Sequence, residues 1–273
     1  MYLKQSSGRW SWYRVGVVCR KEWSEIYHNR RVLLSTVLLP LILVVIGTSG
    51  QWGVSLMSSA DFVNEPPPSL GVGRFEGLDV REQFQASLAL QFLTLFLLIP
   101  LLIPISTATY SVVGEKRDRT LEPLLASPLR TEELLVGKAV ASLTPGLLVA
   151  VTAYVVYAGL SSLVIDNARV LSYVLGPIPL LVMGVLAPLL GLLGVGLALL
   201  ISSRSTDPRA AEQITSVLVL PLMGVFVAQV LGLVQIAPWS VVVSAVVLAV
   251  VDALLFVVAT HVFKRGEILT RWR

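Results

Sequence analysis

The sequence predicts an all-α integral membrane protein with six transmembrane helices, and three observations carry that prediction. First, 55% of the 273 residues are hydrophobic and only 14% are charged, against about 25% charged in a soluble globular domain. With a mean hydropathy of +0.79, no polar surface of ordinary size offsets so much apolar chain. Second, six windows supply the ~20 mostly apolar residues that crossing the hydrocarbon requires. Third, these runs are long and continuous, as in LVMGVLAPLLGLLGVGLALLIS, whereas a membrane barrel alternates polar and apolar residues over strands of about ten. A soluble enzyme, a disordered chain and a disulfide-stapled domain are excluded together. The single cysteine, Cys19, has no second thiol for an internal disulfide.

The spans fall at about 32–57, 87–113, 139–164, 173–202, 214–235 and 238–263. Lipid offers free backbone groups no partner, so each is read as a helix. Residues 1–31 form a polar, basic arm that lacks the short apolar core and small-residue cleavage site of a signal peptide; 32–273 form the six-span domain. Eighteen Lys and Arg residues fall in the arm, in the loops after the second and fourth spans, and in the tail. The other three, Arg74, Arg81 and Arg169, fall in the opposite loops. That asymmetry places both termini on the cytoplasmic side of the cell (inner) membrane. The net charge of +4 then reflects topology and attraction to anionic lipid rather than nucleic-acid binding.

Within the arm, Val15, Val18, Cys19, Trp23, Ile26 and Tyr27 recur at helical spacing, with Arg20, Lys21, Glu25 and Asn29 opposite. Trp10, Trp12 and Tyr13 precede them. This is the pattern of an amphipathic helix lying in the inner interface and feeding the first span. On the outer side only 58–86 has length; it holds Pro66, Pro67 and Pro68 with Gly71, Gly73 and Gly77, and reads as a loop or short helical hairpin. The turn from Gln235 to Pro238 is tight.

The segment GEKRDRTLEPLLASPLRTEELLVGK, residues 114–138, is the densest charge cluster in the chain. Thr120 can cap a short helix running to about Ala126, with Glu122 at its positive end and Pro123 in the first turn. Leu121, Leu124 and Leu125 then make an apolar knob among charges. Ser127 and Pro128 stop that helix, and Thr131, Glu132 and Glu133 start the next. Such a knob is costly in water unless covered, either by the protein's own spans or by a docked partner.

This block resembles the cytoplasmic signature of ABC-2 type transporter permeases: Gly-Glu-Lys/Arg-Glu/Asp-Arg, a small residue or Thr, Leu-Glu, two leucines, Ser/Ala-Pro, acidic residues, then Leu-Gly-Lys. KEWSEIYHNRRVLLSTVLLPLIL (21–43) is similar to the family's entry into the first span, and SSRSTDPRAAEQI (202–214) to its second cytoplasmic loop. The ending Phe263 to Leu269 resembles the family's tail, except that Gly266 stands where a charge is more usual. The resemblance implies a subunit that pairs with a second permease and with two copies of a separate ABC ATPase, in which ATP and magnesium would reside. It implies that the arm, through Lys21 and Glu22, and the 115–125 helix dock that ATPase. Leu121, Leu124 and Leu125 become the knob, and Glu115, Lys116, Arg117, Arg119, Thr120 and Glu122 its rim.

The chain itself has no Gly-x-x-x-x-Gly-Lys-[Ser/Thr] loop, since Gly137-Lys138 lacks the upstream glycine and the following hydroxyl. No metal-ligand or nucleophile motif occurs, and no catalytic residue is assigned. Asp252 lies in the sixth span, twelve residues before Lys264 and thus about 18 Å from its end at the helical rise. An ionisable group at that depth is a candidate for the translocation path, or a structural group facing a neighbouring span. Pro40, Pro100, Pro104, Pro145, Pro188 and Pro221 interrupt spans and permit kinks. The expected activity is export of a hydrophobic or amphipathic substrate, a drug or lipid. A sodium or other cation exporter, a haem or polymer exporter of the same family, and a secondary carrier working through Asp252 are the neighbouring readings.

Overall fold

The computed structural model describes residues 10–28, 30–58, 61, 75, 77–117, 131–205, 207–234 and 236–262. All regular structure among them is helical: α1 (Trp12–His28), α2 (Arg30–Leu56), α3 (Val80–Phe96), α4 (Leu98–Arg117), α5 (Thr131–Ser162), α6 (Ala168–Leu175), α7 (Pro177–Leu181), α8 (Ala187–Arg204), α9 (Pro208–Thr215), α10 (Val219–Val230) and α11 (Pro238–Val262). A π turn, Val182–Leu186, joins α7 to α8, and a 3-10 turn, Ser216–Leu218, joins α9 to α10. These helices compose six long apolar candidate spans: Thr36–Leu56, Val80–Glu115, Glu132–Ser162, Ala168–Arg204, Pro208–Val230 and Pro238–His261. The all-α, six-span expectation is met. The second, third and fifth spans start before their apolar windows because polar turns at 80–86, 132–138 and 208–213 continue the same helices, and the fifth ends at Val230 rather than 235, where the chain turns at Leu231 and Gly232.

The second span is the axis of the bundle. Its α4 half packs on α8 and α5, and its α3 half packs on α2 and α6. Most of its side chains are buried; Ala86, Ala89, Leu93, Phe96 and Ile99 have no accessible surface. The break at Leu97 has a local cause. Pro100 offers no N–H and its ring opposes the carbonyl four residues back, so the Leu97 N–H turns to the Thr94 carbonyl at 3.2 Å instead. Phe92, Phe96, Tyr154 and Tyr157 make a ring cluster between α3 and α5, with centroids 5.2–6.1 Å apart. Gln51 of α2 reaches into it, donating to the Tyr157 hydroxyl at 3.4 Å and to the Gln85 carbonyl at 3.1 Å. Burying an amide in a membrane protein requires such partners.

On the face away from α1, Glu82 accepts from the Asp79 N–H at the start of α3 and from the Asn167 side chain, which itself caps α6. One carboxylate therefore fixes two helix starts. The fifth and sixth spans lie at the margin, with mostly exposed side chains. An exposed aliphatic row from Val242 to Val258 suits lipid or another apolar surface.

Close packing of the second and fourth spans depends on Gly191. A side chain there would set its first carbon 2.3 Å from Leu143 Cδ1 and 2.8 Å from the Pro100 carbonyl, whereas Gly184 has open space. Gly191→Val is expected to cost about 1–3 kcal/mol and to lower the thermal midpoint of the detergent-purified protein, read by tryptophan fluorescence. Gly184→Ala leaves that midpoint unchanged.

Candidate functional site

The segment 118–130 connects α4 to α5 in the sequence. Arg119, Thr120, Leu121, Glu122, Leu124 and Leu125 lie in it, outside the described residues. Lys116 and Arg117 occupy the last turn of α4. What the structure defines is the frame on either side of that segment, formed by α4, the start of α5 and α1.

The arm is helical, as its spacing predicts, and a stripe of Val15, Val18, Cys19 and Glu22 is buried against α5. Trp12 and Tyr13 remain exposed. The approach is close: a side chain at Gly137 would set its first carbon 2.8 Å from Val18. Cys19 Sγ donates to the Gly137 carbonyl at 3.3 Å, and Trp23 Nε1 donates to the Ala141 carbonyl at 3.1 Å. At the helix start, Glu133 accepts from the Ser11 N–H at 2.9 Å and pairs with Arg14 at 3.5 Å. Burial and the charge of Glu22 push the Cys19 thiol up from its ordinary pKa, so it is a packed group and not a reactive thiolate.

The centre of the frame is Lys138, 2% exposed. Its ammonium lies 2.7 Å from Glu22 Oε1 and 2.9 Å from Glu115 Oε2, and donates to Ser111 Oγ at 2.6 Å. Lys21 closes the cluster from the solvent side, donating to Glu115 and, at 3.4 Å, to Glu22. Two ammonium groups thus meet two carboxylates, with α1, α4 and α5 each contributing. Burial alone would push the Glu22 carboxyl up; the charge and hydrogen bond of Lys138, with Ser111 and Lys21, outweigh it and hold the pKa below the usual carboxylate range.

Of the sequence-derived candidates, Lys21, Glu22 and Glu115 come together in this cluster. Sequence reasoning missed Lys138 as their common partner, treating it only as the end of a motif. Its signal was present in retrospect: a lysine about two turns into an apolar helix must find a carboxylate. Asp252 stands apart, on α11 in the bundle's interior half. Both its carboxylate oxygens are buried and have no hydrogen-bond partner among the described residues.

Removing Lys138 leaves two buried carboxylates to share the half-exposed Lys21. Lys138→Ala is expected to cost about 3–5 kcal/mol, seen as a lowered thermal midpoint and faster trypsin cleavage in the arm. The depressed Glu22 pKa sets the pH dependence. Its stabilisation is complete above the unfolded-state value, about 4.3, and is lost as pH falls through the still lower folded value. Arm docking, followed by protection of Cys19 from alkylation, therefore persists down through the ordinary carboxylate range and fails only below it. Glu22→Gln removes that dependence.

No curated protein matches the chain. The model of a known family does match it, over residues 17–238, from within α1 to the first residue of α11. The match takes in the whole charge cluster, the 118–130 segment and five of the six spans. On that coverage the chain belongs to the ABC-2 family of transporter proteins, as a multi-pass membrane component.

Proposed function

We propose that this chain is the permease subunit of an ATP-driven exporter, working beside a second permease and receiving two copies of a separate ATPase at its basic face. The observation that carries this reading is the buried Lys21–Glu22–Glu115–Lys138 cluster. It ties together the two ends of the 118–130 segment and the arm beside them. A leucine knob flanked by charges and held on such a base is suited to transmit a push into two spans at once. Glu115, Lys116, Arg117, Arg119, Thr120 and Glu122 are the proposed rim, and Leu121, Leu124 and Leu125 the proposed anchor. The basic face is the cytoplasmic one, in keeping with the positive-inside bias of the loops. Short outer connections and aliphatic spans favour a hydrophobic or amphipathic substrate. The secondary-carrier reading draws on Asp252 alone.

Mild-detergent affinity purification from the native membrane tests the proposal. A polypeptide with a phosphate-binding loop is expected to co-purify near one to one. Leu121→Glu/Leu124→Glu abolishes its recovery while the permease itself elutes unchanged. Transport that continues without any ATPase, and stops with Asp252→Asn, would instead establish a carrier.

A further inference from the structure

We propose that a cavity inside the single chain, in the half of the bundle away from α1, binds the alkyl tail of a cationic amphiphile whose head group pairs with Asp252. The cavity measures about 450 Å³ and is walled by the second, fourth, fifth and sixth spans. That volume lies within the ~300–1,000 Å³ of small-molecule sites. Leu97, Val182, Leu222 and Val241 represent the four walls.

The cavity has a structural cause. Three of its walls depart from regular α-helix at this level: the second span at Leu97, the fourth at the π turn Val182–Leu186, and the fifth at the 3-10 turn Ser216–Leu218. Each departure is followed within three residues by a proline, Pro100, Pro188 or Pro221. A proline ring displaces the carbonyl four residues before it, and the compensating wide or tight turn shifts the side chains that would have filled the gap. π turns inside helices recur at functional sites for the same reason.

The lining selects an aliphatic guest. Among the described residues it carries no aromatic and no charged side chain, and its polar groups are limited to Thr94, Ser240 and Ser244. Thr94 is already engaged, donating to Gln229 Oε1 at 2.8 Å. From Ser240 to Leu248 the α11 wall runs about 12 Å at the helical rise, the form of a slot for an extended chain. An apolar cavity of this kind stays dry and takes apolar ligands.

Asp252 supplies the charge. It lies one turn, about 6 Å, past Leu248 on the stripe by which α11 enters the bundle, which continues through Leu255 to Ala259. On the facing helix, Leu193 lines the cavity while Gly196 meets Leu255, which sets Asp252 level with the cavity's inner end, one turn past the last lining residue of α11 and outside the lining itself. Its carboxylate oxygens are sealed and without a hydrogen-bond partner among the described residues, an arrangement that is costly until a countercharge arrives. The pairing requires an ammonium at the inner end to reach within the ~4–6 Å at which an opposite charge stabilises a carboxylate.

This site rests on the exporter reading only for its part in transport; binding is measured without any ATPase, so the two ideas fail separately. The protein in lipid nanodiscs is titrated with radiolabelled dodecyltrimethylammonium and, in parallel, with dodecanol. Both are expected to bind saturably, the ammonium more tightly. Asp252→Asn weakens the ammonium by roughly tenfold or more and leaves dodecanol unchanged, while Asp252→Glu restores the difference. Leu186→Trp, which fills the cavity and spares the carboxylate, removes both probes. Should that variant fail to fold, the contrast between the probes in Asp252→Asn decides alone. Absence of saturable binding to the wild type, or equal binding of both probes with indifference to Asp252→Asn, overturns the proposal.

Discussion

An ammonium that is nearly inaccessible to solvent cannot stand alone, and the arrangement of the basic face follows from how Lys138 is satisfied. Its three partners arrive from two helices: Glu22 from the arm, Glu115 and Ser111 from the end of the second span. Meeting all of them fixes the rotation of α1, the height of α4 and the start of α5 in one step. A well-packed apolar cluster of similar volume would hold these helices about as firmly, because desolvation takes back much of what a buried ion pair contributes. What the charges add is selectivity of register. A slip of one residue along any of the three helices leaves a carboxylate or an ammonium buried without its counterpart.

Spans and arm were legible in the sequence because they follow from periodicity and from the thickness of lipid, which are local properties. The face of the arm was partly legible: Val15, Val18 and Cys19 show the right spacing, yet Glu22, one turn further, looks polar in sequence and is buried in fact. Its burial depends on Lys138, more than a hundred residues away, and no window of sequence contains both. The break at Leu97 shows the same division. Pro100 announces a disturbance, but whether the helix bends, widens or tightens depends on the neighbours that receive the displaced side chains. Asp252 was legible as an anomaly because its depth could be counted from the end of the span, whereas the cavity beside it required four spans to be placed together.

The prolines of the spans divide into two kinds once their surroundings are known. Pro104 is a packing element, pressed into the space that Gly146 leaves on α5. Pro100, Pro188 and Pro221 act through the backbone, each just beyond an irregular turn. The same residue type thus serves contact in one place and absence of contact in another.

α5 runs without interruption from Thr131 to Ser162, about 48 Å at the helical rise. Its first turns are gripped by the arm, and toward its far end Tyr154 donates to the Val174 carbonyl across from α6. A rod held at both ends moves as one piece. Because Gly137 leaves no clearance between the rod and α1, the arm cannot slide along it and must travel with it. A tilt imposed on the arm by a degree or two therefore becomes a lateral displacement at the opposite membrane face, magnified by the length of the lever.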